Sequence, residues 1–481
     1  MSERKVRQRN LHAELPDEVL LRLLAAGLRG EPHPVLPGTV PPETWLEVFR
    51  LSAAQGVLAL AYDALRRLPA AQQPPRELML RWAVNTDRIE RQFAHRQRAL
   101  EDLAAFYASH GIRLMLLKGA GLAALYPVPA HRPCGDIDIW LYGRQREADR
   151  LVREELRIAV SNDVHHHTIF SYKGVMIENH FDFLNLWSHR SNRELERHLH
   201  RFAEKEGGRL AVGDREVALP PPDFNALFLM RHMAVHFAAV EIGLRHLADW
   251  AMFLEADGRK VDWPTIRAIY KEQNMDRFAD AATAICVERL GVNPDRAYDY
   301  TQDEVLQNEL LNETLHPLFS EKHPDRGIAA PALFKLRRWW ANRWKHRLVY
   351  KDSLAGSFLW LCWAHLIRPR SIIKQAEGAF GQEEANRGAH YRFVCRTPPA
   401  GRAAAKLTGT AAAVQQQRKT LHDNDCTGAE AGNPESPRHS RRLRQAKPPP
   451  DRRAAAIHAA TGTESRSSRQ PTGKAIKGIG G

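Results

Sequence analysis

Between residues 15 and 108 apolar side chains recur at helical spacing. Leu20, Leu21, Leu23 and Leu24 form one face, Trp45, Leu46, Val48 and Phe49 a second, and Leu80, Val84, Phe93, Leu103 and Phe106 a third and longer one. Pro34, Pro37, Pro41, Pro42, Pro74 and Pro75 separate them. After Gly111 the period shortens. Apolar runs at Leu114 to Leu117, Ile137 to Leu141, Thr168 to Tyr172 and Val175 to Phe183 predict strands, with one helix between Arg144 and Leu156. From Pro222 the helical period returns through Phe224 to Ala238, Leu244 to Leu254, Trp263 to Tyr270 and Phe278 to Leu290, punctuated by Gly243, Gly258 and Gly291. The pattern predicts an α+β fold, a small mixed sheet flanked by helical segments before and after it. Its divisions are 1–110 helical, 111–220 mixed, 221–386 helical and 387–481 without periodicity.

Residues 334–375 are basic and aromatic, with Arg337, Arg338, Trp339, Trp340, Arg343, Trp344, Lys345 and Arg347, and then apolar from Leu354 to Ile367. A helical pair whose cations snorkel over apolar neighbours accounts for this, an interfacial or partner-binding helix being the alternative. The last segment is rich in Ala, Arg, Pro, Ser, Gly and Gln, too poor in apolar surface to offset chain entropy, and is read as a disordered tail.

Charge sharpens the division. The chain of 481 residues carries a net +14, but residues 391–481 hold 17 Lys and Arg against 6 Asp and Glu. The basic surplus therefore belongs to the tail, where it offers non-specific phosphate contact to nucleic acid. Five cysteines, Cys134, Cys286, Cys362, Cys395 and Cys426, show neither a CxxC pair nor a disulfide spacing. With a polar N-terminal stretch and no apolar run of about 18 residues, a cytoplasmic protein without a membrane span is expected.

The chemistry concentrates in the mixed region. Lys118-Gly119-Ala120-Gly121 follows the first strand, and Arg132 precedes Asp136-Ile137-Asp138 at the start of the next. Glycines at such a turn let a phosphate approach backbone N–H groups. Aspartates at i and i+2 share one strand face, expected to be open to solvent, while Ile137 and Ile139 point into the core. Two carboxylates beside a phosphate turn suit divalent cations and in-line displacement at phosphorus. In Val175 to Phe183, Glu178, His180 and Asp182 share a face. Four strand residues separate Glu178 from Asp182 by about 13 Å, so one ion pair cannot use both.

These motifs resemble the polymerase-β-like nucleotidyltransferase superfamily, in which a glycine turn is followed by Asp-x-Asp on the next strand. More narrowly, Leu117-Lys118-Gly119, Tyr126, Arg132, Asp136-Ile137-Asp138 and the Glu178-x-His180 segment are similar to a bacterial nucleotidyltransferase-like family often encoded near polysaccharide genes. The likeness extends from the Trp45 helix through Arg245 and Asp249 to Leu366-Ile367-Arg368-Pro369. It implies transfer of a nucleoside monophosphate from an NTP to an unidentified hydroxyl acceptor with release of pyrophosphate. Two Mg2+ ions, or Mn2+, would be held by Asp136, Asp138 and Glu178 as catalytic residues, and Lys118, Gly119, Gly121 and Arg132 would bind the nucleotide. Ala120 departs from the superfamily, which usually has Gly-Ser or Gly-Gly at the turn.

Two other functions compete. Gly119 to Ala124 also satisfies GxGxxA, the turn of dinucleotide-binding oxidoreductases, but Asp136 and Asp138 begin a strand where that fold needs an acid at a strand end, and no second half is visible. A catalytically inactive binding or scaffold protein on the same fold is the other. Among the histidines, His165, His166 and His167 are adjacent, so strand alternation lets at most two converge on a metal. His232 and His236 at i, i+4 are read as packing residues, and Arg245 with Asp249 as a helix-surface ion pair, to which the family resemblance adds a nucleotide-side or domain-bracing role.

Overall fold

Proline starts the first helices. Pro16 and Pro42 occupy the opening turns of α1 (Pro16–Leu28) and α2 (Pro42–Ala54), where a missing N–H costs nothing and the fixed φ suits a helix. The computed structural model describes residues 15–161, 166–239, 241–317 and 337–367. The tail read as disordered, His165, and residues 334–336 and 368–375 of the basic aromatic stretch lie outside the described residues.

After α3 (Leu58–Leu65) and the long α4 (Arg76–Ser109), β1 (Met115–Leu116) leads through the single turn α5 (Ala120–Ala123) to β2 (Asp136–Trp140). Then come α6 (Gln145–Glu154), β3 (His167–Tyr172), β4 (Val175–His180), α7 (Asn192–Ala203), β5 (Arg209–Val212) and β6 (Arg215–Ala218). Helices complete the described chain: α8 (Pro222–Ala239), α9 (Leu244–Asp257), α10 (Trp263–Glu272), α11 (Asp276–Leu290), α12 (Glu304–Leu315), α13 (Arg343–Val349) and α14 (Leu354–Ile367). The fold is α+β. Its six strands run in the order β3-β4-β2-β1-β6-β5, with β2 parallel to β4 and β1 parallel to β6, the other pairs being antiparallel.

Two cores cover the two faces of this sheet. Leu116, Ile137, Ile139, Leu141, Phe170 and Ile177 pack with Leu100, Leu103 and Tyr107 of α4 and with Ala148 and Val152 of α6. Met115, Leu117 and Trp140 instead join a larger core built from α1–α3, the first half of α4, and α7–α12. The helices before and after the sheet thus share one apolar interior. Among the described residues no helix is long and apolar enough to cross a membrane.

Three features depart from the sequence pattern. Leu80 and Val84 are exposed, and the buried stripe of α4 runs instead through Leu78, Trp82, Asn85, Thr86 and Ile89. Apolar residues are sparse enough there to support either phase, and the Trp82 ring decides it by standing edge-on to Phe49 at 5.0 Å between centroids. Helices α7 and α12 and the β5–β6 hairpin were not evident: α7 hides Leu195, Leu199 and Phe202 among seven charged or histidine positions, and the hairpin strands have four residues each. Finally, Lys345 does not snorkel. It is buried, paired with Glu313 at 2.5 Å and set over the Phe237 ring at 4.8 Å.

The phase of α4 is testable. Trp82→Ala should cost about 3–5 kcal/mol in denaturant unfolding, whereas Leu80→Ala should stay within about 0.5 kcal/mol of the parent.

Candidate active site

At the end of β1 the chain turns at Gly119 with φ +48°. A Cβ there would lie 2.7 Å from Cys134 Sγ, so the turn accepts glycine for both conformational and steric reasons. Gly121 is also closely packed. A Cβ on it would press on Leu219 at 3.1 Å and on the Leu116 carbonyl at 3.3 Å, which makes it a packing position of the one-turn helix α5.

The parallel register of β2 and β4 then builds an acidic face. Asp138 lies opposite Glu178, and Asp136 opposite Met176. Asp138 is 3% exposed, a burial that corrects the expectation of an open face: α8 lies above it, with Phe228 5.8 Å from Lys118 Nζ. A buried carboxylate needs partners. Lys118 Nζ donates to Asp138 Oδ1 at 2.8 Å, and His180 Nε2 stands 3.2 Å from the same oxygen. Asp138, Glu178 and His180 present ligand atoms all within 4.8 Å of one another. Asp136 is not in that group, although it shares the strand face and is less buried.

Electrostatics separate the three acids. Burial raises the Asp136 carboxyl, and the Asp138 charge adds to it. Burial acts on Asp138 in the same direction, but the Lys118 ammonium and the His180 ring override it and hold that carboxyl well below the usual range. Glu178 is pushed up to about 7, first by burial and then by the neighbouring aspartates. His180, despite a burial that opposes it, is raised to about 9 by Asp138 and Glu178.

Residues 41–291 match the family described as an uncharacterised nucleotidyltransferase. The chain belongs to that family. No curated protein and no solved structure matches it. The matched stretch of the nucleotidyltransferase runs from α2 to the end of α11 and contains every residue of the acidic face.

Arg132, expected at the nucleotide, sits in a fork. Its Nε and Nη2 donate to Asp249 at 2.9 and 2.7 Å, and Tyr126 adds its hydroxyl to the same carboxylate at 2.6 Å. Asp249 on α9 is therefore the brace that ties the loop before β2 to the later helices, a pairing the i, i+4 spacing to Arg245 had not suggested. Next door, His131 bridges Asp63 and Glu90 at 2.6 and 2.9 Å. Arg96 and Arg245 both stand close enough to act electrostatically on Asp136. Sequence reasoning passed over Arg96, which lies on a helix 40 positions away. His232 and His236 pack with His246 at centroid distances of 4.4 to 6.0 Å, and burial, followed by Lys118, pushes His232 well below its ordinary value.

Asp182 falls outside the acidic face. Strand β4 ends at His180, and Asp182 joins Glu196 and His200, where Glu196 accepts the backbone N–H groups of Phe183 and Leu184 at 2.7 and 2.9 Å.

Two stability measurements follow. Asp249→Ala should cost about 3–5 kcal/mol, because it leaves the Arg132 guanidinium buried without its carboxylate. Glu178→Gln should act oppositely in metal-free buffer. A folded pKa near 7, against an unfolded value near 4.5, means that the folded state holds the proton longer, so stability falls as pH rises from about 4.5 to 7. The amide removes that loss, and the variant should melt higher than the parent at pH 8 and no higher at pH 5.

Proposed function

We propose that this protein transfers a nucleoside monophosphate from an NTP to an acceptor hydroxyl, using divalent cations at Asp136, Asp138 and Glu178 on a polymerase-β-like core. The observation that carries the reading is the register that sets Glu178 beside Asp138, next to a turn that accepts only glycine, within a nucleotidyltransferase family match. The donor set fits hard divalent ions. Three acids on one sheet face, two of them held above their ordinary pKa by burial and mutual repulsion, are relieved by positive charge.

Mg2+ or Mn2+ bound there would neutralise the triphosphate and make the acceptor hydroxyl more acidic. The chain's own groups then divide the work. The acceptor oxygen forms its bond to the α-phosphorus as the bond to the β-phosphate oxygen breaks, and pyrophosphate departs. Glu178, beside Asp138 across the β2–β4 register, would orient the acceptor and take its proton. Asp136 sits on the less buried edge of the face with Arg96 and Arg245 in range, which supports a triphosphate on that side. Lys118 neutralises Asp138. Arg132 acts through its brace to Asp249, holding the loop that delivers Asp136.

One observation favours the inactive alternative: the Lys118 ammonium already occupies an Asp138 oxygen, a place a cation would need. Both readings predict nucleotide binding, but only the enzyme releases pyrophosphate.

The test is magnesium-dependent pyrophosphate release from each NTP with a panel of hydroxyl acceptors, product mass read by mass spectrometry. Asp136→Asn should lower turnover by a factor on the order of 100 or more without loss of fold. Asp138→Asn should do the same while also lowering the melting temperature, since it strands Lys118. Glu178→Gln should lose turnover and keep nucleotide affinity, and Asp182→Asn should be close to the parent. Undiminished activity in the Asp136 and Asp138 variants would remove the metal assignment.

A further inference from the structure

Beside the acidic face lies a second ligand group made of imidazoles. His167 opens β3 directly opposite His180 on β4, and their ring centroids are 4.9 Å apart. His166 precedes the strand, so the pleat does not send it to the opposite face. Its ring stands 4.4 Å from that of His167 and 5.5 Å from that of His180. The three residues offer ring nitrogens that all lie within 4.8 Å of one another. Glu178 reaches between two of them, Oε1 being 3.8 Å from His167 Nε2 and Oε2 3.6 Å from His180 Nε2. Packing alone does not account for the group. The His167 side chain is 8% exposed, yet its Nδ1 has no hydrogen-bond partner among the described residues, a costly state for a buried polar atom.

We propose that His166, His167 and His180 bind one borderline transition-metal ion of the Zn2+ type, with the Glu178 carboxylate at its edge. Imidazole donors suit Zn2+, Co2+ or Ni2+, whereas Mg2+ takes oxygen ligands. Nitrogens about 2.0–2.1 Å from Zn2+ stand about 3.4 Å from one another, so modest ring rotations close the present spacing. Three protein ligands leave a coordination position open. His180 also belongs to the carboxylate group with Asp138 and Glu178, so the imidazole ion marks one end of a continuous site whose other end carries only oxygen donors. The inference does not depend on nucleotidyl transfer, because metal uptake is read without nucleotide.

The experiment uses the full-length protein, stripped with a chelator and titrated with Co2+ in the presence of excess Mg2+. Uptake of one equivalent with visible d–d bands, lost when Zn2+ is added, is expected. His166→Gln with His167→Gln should weaken Zn2+ binding on the order of tenfold or more with an unchanged circular dichroism spectrum, and Asp182→Asn should leave it as in the parent. A parent protein that takes up no Co2+ against Mg2+ overturns the proposal, whatever the variants do. So does a folded double variant that binds Zn2+ as the parent does. Metal uptake without pyrophosphate release would instead count against the nucleotidyl-transfer reading alone.

Discussion

Carboxylates placed inside a protein must be paired or lose their charge, and that constraint organises this molecule. Asp138 sits at the centre of the sheet between β4 and β1, with Lys118 arriving from the glycine turn and His180 from the neighbouring strand. Glu178 is beside it without a lysine of its own, and its pKa moves towards neutrality. A sheet built for stability alone would place apolar side chains there. Holding three acids together against burial and mutual repulsion is a standing cost, of the kind found where chemistry needs charge in a fixed place.

The two cores make this possible by stiffening the sheet from both sides. On one face Ile137, Ile139 and Ile177 alternate with the acids and anchor β2 and β4 against α4 and α6, so the register that aligns Asp138 with Glu178 cannot slip without exposing three isoleucines. On the other face the later helices must approach closely enough to shield the acids. The Arg132 fork to Asp249, with Tyr126, fixes that approach, and Lys118 beneath Phe228 fills the space between. Site and brace are therefore one network, in which a bidentate ion pair beside the glycine turn helps to hold the loop from which Asp136 begins its strand.

Much of the arrangement was legible locally. Glycine at 119 followed a strand pattern because a positive φ and a neighbouring sulfur admit no side chain. Ile137 and Ile139 pointed inward because alternation on a half-buried strand leaves no other choice. The end of β4 was misplaced, because the apolar alternation runs on to Phe183 whereas the strand stops at His180. The stripe of α4 was not legible, since Leu80 and Leu78 fit the period equally well until Trp82 meets Phe49. Nor were α7 and the β5–β6 hairpin, whose charged and short segments carry little periodic signal.

By itself the sequence determined the order and spacing of the chemistry-bearing residues: Lys118 and Gly119, then Asp136 and Asp138, then Glu178 and His180, each on its element. Those are local properties, governed by backbone conformation and the two-residue period of a strand. Only the tertiary structure decided which of them meet. The parallel β2–β4 register set Glu178 beside Asp138, a contact across 117 residues tied Arg132 to Asp249, and the antiparallel β3–β4 pairing brought His167 to His180. Burial, too, was decided there. Whether a carboxylate is open or enclosed depends on helices that pack over it from distant parts of the chain, and desolvation together with the charges that tertiary contact sets beside it, not spacing, fixes its charge.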